Sequence, residues 1–166
     1  MDRIDRIIAM KHEEITKAVI GCAFEVINER GSGFLESVYE KAMLVALQQK
    51  GLSVQAQHPI RVVFRQKCVG EFIADLLVEQ RVIVELKAVK AIAPEHQAQI
   101  INYLNATGIE VGLLINFGRP KLEYRRFSRS KEVTRDIQEA RDTEKRNPVH
   151  PVHPCWNRDG FLEAKK

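Results

Sequence analysis

The sequence predicts an α/β domain: a central mixed sheet of four or five strands flanked by helices. Three observations predict it. Stretches with helical apolar spacing stand on either side of a block of three strand-like runs. VGLLINFG (111–118) is apolar almost without interruption, as a strand buried on both faces is. The 166 residues are 45% hydrophobic and 29% charged, a globular mixture long enough for one real core.

Residues 3–29 read as the first helix. Ile15, Val19, Cys22 and Val26 recur on one stripe, while Lys11, Glu14, Glu25 and Glu29 supply a wet face. Gly31, Ser32 and Gly33 break it. FLESVYEKAMLVALQQK predicts a second helix, with Leu35, Val38, Ala42 and Val45 as its apolar stripe and Gly51 as its stop. PIRVVF (59–64), FIADLLV (72–78) and VIVELKAV (82–89) predict three strands. APEHQAQIINYLNATG predicts a helix that opens with Pro94 near its first position and closes at Gly108. VGLLINFG and LEYRRF (122–127) complete the sheet.

Beyond Ser130 the composition changes. Residues 131–146 carry many charges of both signs and few large apolar groups, which suits an exposed helix or disorder. NPVHPVHPCWNRDG (147–160) is rich in Pro and His. The expected organisation is one folded domain over residues 1–130 and a charged, Pro/His-rich C-terminal extension over 131–166, its last stretch from 147 poorly packed.

The N-terminus, MDRIDRIIAMKHEEITK, is charged throughout and is no signal peptide. No apolar run approaches the roughly 20 residues of a membrane span. Cys22, Cys68 and Cys155 are odd in number and form no CxxC pair. That argues against a disulfide framework and for a reducing compartment, so a cytoplasmic protein without a membrane partner is expected. The net charge of +4 permits a polyanionic partner without demanding one.

Three charges stand where strands should be apolar: Asp75 in FIADLLV, and Glu85 and Lys87 in VIVELKAV. An isolated buried carboxylate would change its pKa or cost roughly several kcal/mol, whereas a cluster can be balanced by a cation. Glu85 and Lys87, at i and i+2, share a face. Asp75 joins them only if the hairpin loop is odd. With Glu79, Gln80 and Arg81 as the loop, Asp75 lies opposite Glu85; with Glu79 and Gln80 alone it faces away. Two carboxylates on neighbouring strands suit a hard cation such as Mg²⁺, and a lysine beside them suits metal-assisted phosphodiester hydrolysis. The plainer alternative is an Asp75–Lys87 ion pair at a sheet end with Glu85 solvated, and the spacing by itself leaves both open.

The element order decides further. Helix, three strands carrying D…ExK, helix, strand resembles the PD-(D/E)XK nuclease superfamily with its restriction-endonuclease-like core, with Ala74-Asp75 in place of Pro-Asp. GFLESVYE (33–40), through Gly33, Glu36 and Tyr39, is similar to the motif of the GxxExxY protein family, a bacterial and archaeal branch of that superfamily. ADLLVE, VELKAV, HQAQIINYLNATG and VGLLINFG extend the resemblance over about residues 12–128. It implies Asp75 and Glu85 as metal-binding acids, Lys87 as the catalytic lysine, and Glu36 as an extra metal-binding acid from the first core helix. With Gly33 as cap, Glu36 would be the third helical residue and could instead bond its own helix's free N–H groups. Tyr39 reads as a core or supporting residue.

Gln99 and Tyr103 form QxxxY, similar to pairs in the branch with recombination nucleases and exonucleases. They share a helix face, turned away from Ile100, Ile101 and Leu104, and should flank the sheet, where they could position the phosphate or the lysine. His96 reads as a surface residue. In KLEYRRFSRSK (121–131), Arg125, Arg126 and Arg129 with Lys121 and Lys131 could meet phosphates, and Tyr124 and Phe127 could stack on bases; an edge strand kept soluble by charge accounts for them equally. His150, His153 and Cys155 lack a second ligand cluster for zinc.

The reading is a Mg²⁺- or Mn²⁺-dependent nuclease acting on nucleic acid, on DNA before RNA, with monomer and homodimer both open. A non-catalytic nucleic-acid-binding or protein-interaction module on the same fold is the alternative.

Overall fold

The structure, a computed structural model, describes residues 12–129. The C-terminal extension, with its Pro/His run, lies outside the described residues, as does the start of the first predicted helix. Helix α1 (Glu13–Arg30) and helix α2 (Glu36–Gln49) precede strands β1 (Val54–Phe64), β2 (Lys67–Val78) and β3 (Val82–Lys87). Helix α3 (Pro94–Thr107) leads to β4 (Val111–Asn116) and β5 (Glu123–Ser128). The five strands lie in chain order, β1-β2-β3-β4-β5. Only β3 and β4 are parallel, joined by α3 as crossover. The sheet is therefore mixed and flanked by helices on both faces, the α/β architecture the pattern predicts.

Alternation along β3 sorts the two faces. Val82, Val84 and Leu86 pack with α1 and α2, together with Val111, Leu113 and Ile115 of β4. Ile83 points to the other face, where Leu77 of β2 meets Tyr103 and Leu104 of α3. Ile100 and Leu114 close that layer. Glu85 and Lys87 follow Ile83 at two-residue steps and so stand on the α3 face.

Strands β1 and β2 run longer than predicted and form a ribbon turned by Arg65 and Gln66, both at positive φ (46° and 65°), as a two-residue hairpin requires. The β2–β3 loop is Glu79, Gln80 and Arg81, the odd count that the site reading needs. Its pairing is Val78–Val82, Leu77–Ile83 and Leu76–Val84, so Asp75 and Glu85 occupy the next row. There the sheet forks. The β2–β3 ladder ends at Leu76, and β1 skips a pairing at Gln57, which sits at φ 52° opposite Asp75.

Two helix faces differ from expectation. On α1, Val19, Cys22 and Val26 are buried as the stripe predicts. On α2, the buried residues are Tyr39, Met43 and Leu47, while Leu35, Val38 and Val45 are exposed. Apolar residues lie almost all round this helix, and the stripe with the larger side chains removes more apolar area from water. On α3, Ile100, Tyr103 and Leu104 are buried and Ile101 is 44% exposed. Tyr103 therefore packs into the core instead of flanking it, because its ring carries more apolar area than Ile101 and its hydroxyl finds a partner.

Candidate active site

The fork exposes strand backbone. Leu86 and Ala88, two residues apart, direct their N–H groups to the same side of β3, the side β2 has left. Each finds a carboxylate. The Leu86 N–H donates to Asp75 Oδ2 at 2.7 Å, and the Ala88 N–H donates to Glu36 Oε2 at 3.2 Å. Asp75 and Glu36 thus stand in for a departed strand, each with one oxygen engaged and a second left over.

Glu36 does not cap its own helix. It is the first residue of α2, after Leu35 as N-cap, rather than the third. It reaches across 52 positions of sequence to the chain just beyond Lys87. Gly33, at φ 107°, makes the turn that delivers it, a conformation few other residues adopt.

Glu85 is 2% exposed. Its Oε1 accepts a 2.8 Å bond from the Lys87 ammonium, and its Oε2 is buried without a partner. Burial, then the Asp75 charge, pushes the Glu85 carboxyl up to about 7, against the pull of Lys87. Burial also raises Asp75, opposed by the Leu86 N–H and Lys87. Burial would lower Lys87, but the bond to Glu85 and the surrounding acids outweigh it and hold the ammonium charged above its ordinary range. The alternative of an Asp75–Lys87 pair with a solvated Glu85 is not what forms. The lysine takes Glu85, Asp75 takes a backbone N–H, and Glu85 is the most enclosed of the three.

A buried acid with an orphaned oxygen, beside a second acid with an oxygen to spare, suits a divalent cation. Among the described residues no group of three or more His, Cys, Asp or Glu side chains forms a ready-made cage. A cation here would rest on Asp75 and Glu85, with its remaining positions open to water and substrate.

The remaining predicted residues divide. Gln99 Nε2 donates to the Tyr103 hydroxyl at 2.7 Å, and that hydroxyl donates to Ile73 O at 3.3 Å, two residues from Asp75. Tyr103 is 3% exposed, so the pair braces β2 at the fork from the α3 side. His96 Nδ1 accepts the Ala93 N–H and caps α3. Arg125 lies in the Glu85 row, two strands over, across Leu114, and bonds Glu123 at 3.3 Å. Arg126 bonds Ser128. Arg129 follows Ser128, whose row runs through Val111 to Val82 at the opposite end of the sheet.

Sequence reasoning missed the clamp behind Lys87. Asn116, fully buried, accepts from the Val89 and Gly118 N–H groups and donates to Val89 O, at 2.9–3.0 Å. A Cβ on Gly118 would fall 2.1 Å from Val89 O, so only glycine lets the two loops meet. The signal was present: one polar residue closing an apolar run, with a glycine two positions on.

Residues 13–127 match the family model of the PD-(D/E)XK nuclease superfamily. A search of curated proteins finds no match. Among solved structures the chain is similar to the crystal structure of SSO0001, at 12% identity and TM-score 0.46, over 82% of this chain and 69% of that one. It is also similar to the alkaline exonuclease LHK-Exo from Laribacter hongkongensis, at 14% identity and TM-score 0.46, over 64% of this chain and 62% of that one. LHK-Exo in complex with dAMP matches at the same identity and TM-score, over 66% and 70%.

Proposed function

We propose that this chain, which belongs to the PD-(D/E)XK nuclease superfamily, is a divalent-metal-dependent nuclease whose centre is Asp75, Glu85 and Lys87. The observation that carries the reading is Glu85, an acid 2% exposed with one oxygen on Lys87 and the other unpartnered. Nothing in ordinary packing rewards that arrangement, since an unsatisfied buried oxygen costs about 1–3 kcal/mol.

What a bound Mg²⁺ or Mn²⁺ supplies is a more acidic water and a counter-charge for a phosphoryl oxygen. The chain's own residues do the rest. Asp75 and Glu85 would hold the ion, each set in place by a second bond, to the Leu86 N–H and to the Lys87 ammonium. Glu36, on the Ala88 N–H, adds its negative charge beside that pair. The Lys87 ammonium, on Glu85 Oε1 while Oε2 stays unpartnered, would stand beside such an ion to orient the attacking water or meet the phosphoryl oxygen. Gln99 steadies the fork through Tyr103, and Arg125 offers a charge to the nucleic-acid backbone. The Gly33–Glu36–Tyr39 motif supports membership of the GxxExxY branch. The substrate we propose is DNA, and the compartment the cytoplasm; whether one copy or two form the working unit is read by sedimentation.

The test is cleavage of mixed DNA and RNA substrates with Mg²⁺ or Mn²⁺, run beside calorimetric metal titration. Glu85→Ala is expected to lose metal binding and cleavage together. Lys87→Ala is expected to lose cleavage while metal still binds, with equal or greater affinity, because a positive charge has gone. Trace activity shared by native chain and Lys87→Ala is contamination and overturns the reading. A second reading, a non-catalytic nucleic-acid-binding module, draws on the lack of a three-residue metal cage among the described residues. Native protein that binds nucleic acid but no divalent metal decides for it.

A further inference from the structure

Lys87 and Ala88 share one peptide bond, and both of its polar ends are held from outside the strand. Its C=O accepts the Phe117 N–H at 2.7 Å. Its N–H donates to Glu36 Oε2 at 3.2 Å. Behind both holds stands one side chain. Tyr39 is fully buried, and its ring lies flat on that of Phe117, centroids 4.5 Å apart and planes 9° from parallel. Its hydroxyl donates to Gly31 O at 2.9 Å and accepts the Phe34 N–H at 3.2 Å. Those two bonds tie the α1–α2 turn, from which Glu36 starts. One route therefore runs from the Tyr39 ring through Phe117 to the Lys87 carbonyl. The other runs from the Tyr39 hydroxyl through the turn and Glu36 to the Ala88 N–H.

The core does not require this. Burying an aromatic side chain needs neither a near-parallel stack nor a hydroxyl satisfied on both its donor and its acceptor side. The stack and the bonded hydroxyl orient the two segments that grip the peptide after the lysine. We propose that Tyr39 is a positioning residue, which fixes the Lys87–Ala88 peptide and through it the placement of the Lys87 amine. The inference rests on the nuclease reading for its catalytic consequence, and on geometry alone for its structural one.

The experiment uses the full chain and four variants: Tyr39→Leu, Tyr39→Phe, Phe117→Leu and, as a control, Val45→Ala on the exposed side of α2. Tyr39→Leu removes both routes, Tyr39→Phe only the hydroxyl, and Phe117→Leu breaks the stack from the other side. Each variant is checked by thermal melt, so that loss of fold is not scored as loss of position. Two readouts follow. In single-turnover cleavage, Tyr39→Leu and Phe117→Leu are expected to lose at least about 10-fold in rate with KM and metal affinity within about 2-fold, since a misplaced group costs the chemical step and not binding. Tyr39→Phe is expected to lose about 3-fold, and Val45→Ala nothing. The second readout needs no activity: hydrogen exchange at the Ala88 amide and the NMR signal of the Lys87 ammonium. Exchange should quicken and the ammonium signal shift in Tyr39→Leu and Phe117→Leu, less so in Tyr39→Phe. Folded Tyr39→Leu and Phe117→Leu variants with native Ala88 exchange and an unmoved Lys87 signal overturn the inference, whatever the activity. A loss that falls on KM alone overturns it as well. If the native chain shows no Lys87-dependent cleavage, the nuclease reading fails, and the Ala88 and Lys87 signals still decide the positioning.

Discussion

The hairpin of β2 and β3 is two different structures in one. From Val78–Val82 to Leu76–Val84 it is a sealed ladder, every side chain under 3% exposed. One row further, at Asp75 and Glu85, the strands part, and carboxylates take the place of backbone partners. The sealed part is held by apolar burial and tolerates no charge. The forked part accepts three charges because each has a partner there: Asp75 takes the Leu86 N–H, and Lys87 and Glu85 take each other. The difference teaches that a buried charge in a strand can mark the place where pairing stops.

Paired substitutions break this comparison most strongly. Leu113→Ala, in the sealed layer, is expected to cost about 2–5 kcal/mol in urea-monitored stability by opening a cavity, with metal affinity of the folded protein unchanged. Lys87→Ala, at the fork, leaves Glu85 Oε1 unpartnered as well, so it is expected to cost about 1–3 kcal/mol and to lower cleavage at least about 100-fold. If Lys87→Ala costs as much stability as Leu113→Ala and leaves cleavage intact, the fork is merely more core.

The pH dependence sharpens it next. Glu85 titrates near 7 when folded and near 4.5 when unfolded, so between those values the folded chain holds a proton that the unfolded chain has released. Stability without metal should therefore fall as pH rises through that window, by on the order of 3 kcal/mol at most. Metal affinity should rise over the same range, since binding displaces that proton. Glu85→Gln should flatten the stability slope in denaturant titrations run across the window. An unaltered slope would assign the titration to another group.

Gly118→Ala tests the clamp behind the fork. Its Cβ collides with Val89 backbone, which cannot move without breaking bonds to Asn116, and a loss of about 1–3 kcal/mol is expected in thermal melts. The smallest effects belong to the arginines. Arg125→Ala, in the Glu85 row, is expected to weaken nucleic-acid binding about 3-fold in low salt, and Arg129→Ala, at the far end of the sheet, less than about 2-fold. The reverse order would move the nucleic-acid path to the other end. Among the described residues no helix is long and apolar enough to cross a membrane.

The sequence by itself determined the order of elements, through the apolar period along each segment. It reduced the placement of Asp75 to loop parity, a two- or a three-residue turn, and the structure chose the three residues Glu79, Gln80 and Arg81. The α1 stripe was legible for the same reason, one clear apolar face. Tertiary structure decided what short-range rules leave degenerate. On α2 two apolar stripes competed, and packing against the sheet chose Tyr39, Met43 and Leu47. On α3 the choice between Ile101 and Tyr103 fell to the residue whose hydroxyl could reach Ile73 O. Lys87 could have paired with Asp75 or Glu85, and the departing β2 strand settled it by claiming Asp75 for the Leu86 N–H. Glu36 found Ala88 across 52 residues, and Asn116 found Val89 across 27. No local period encodes such distances. They exist only once the sheet has brought the ends of β3 and β4 side by side and the turn at Gly33 has aimed α2 at them.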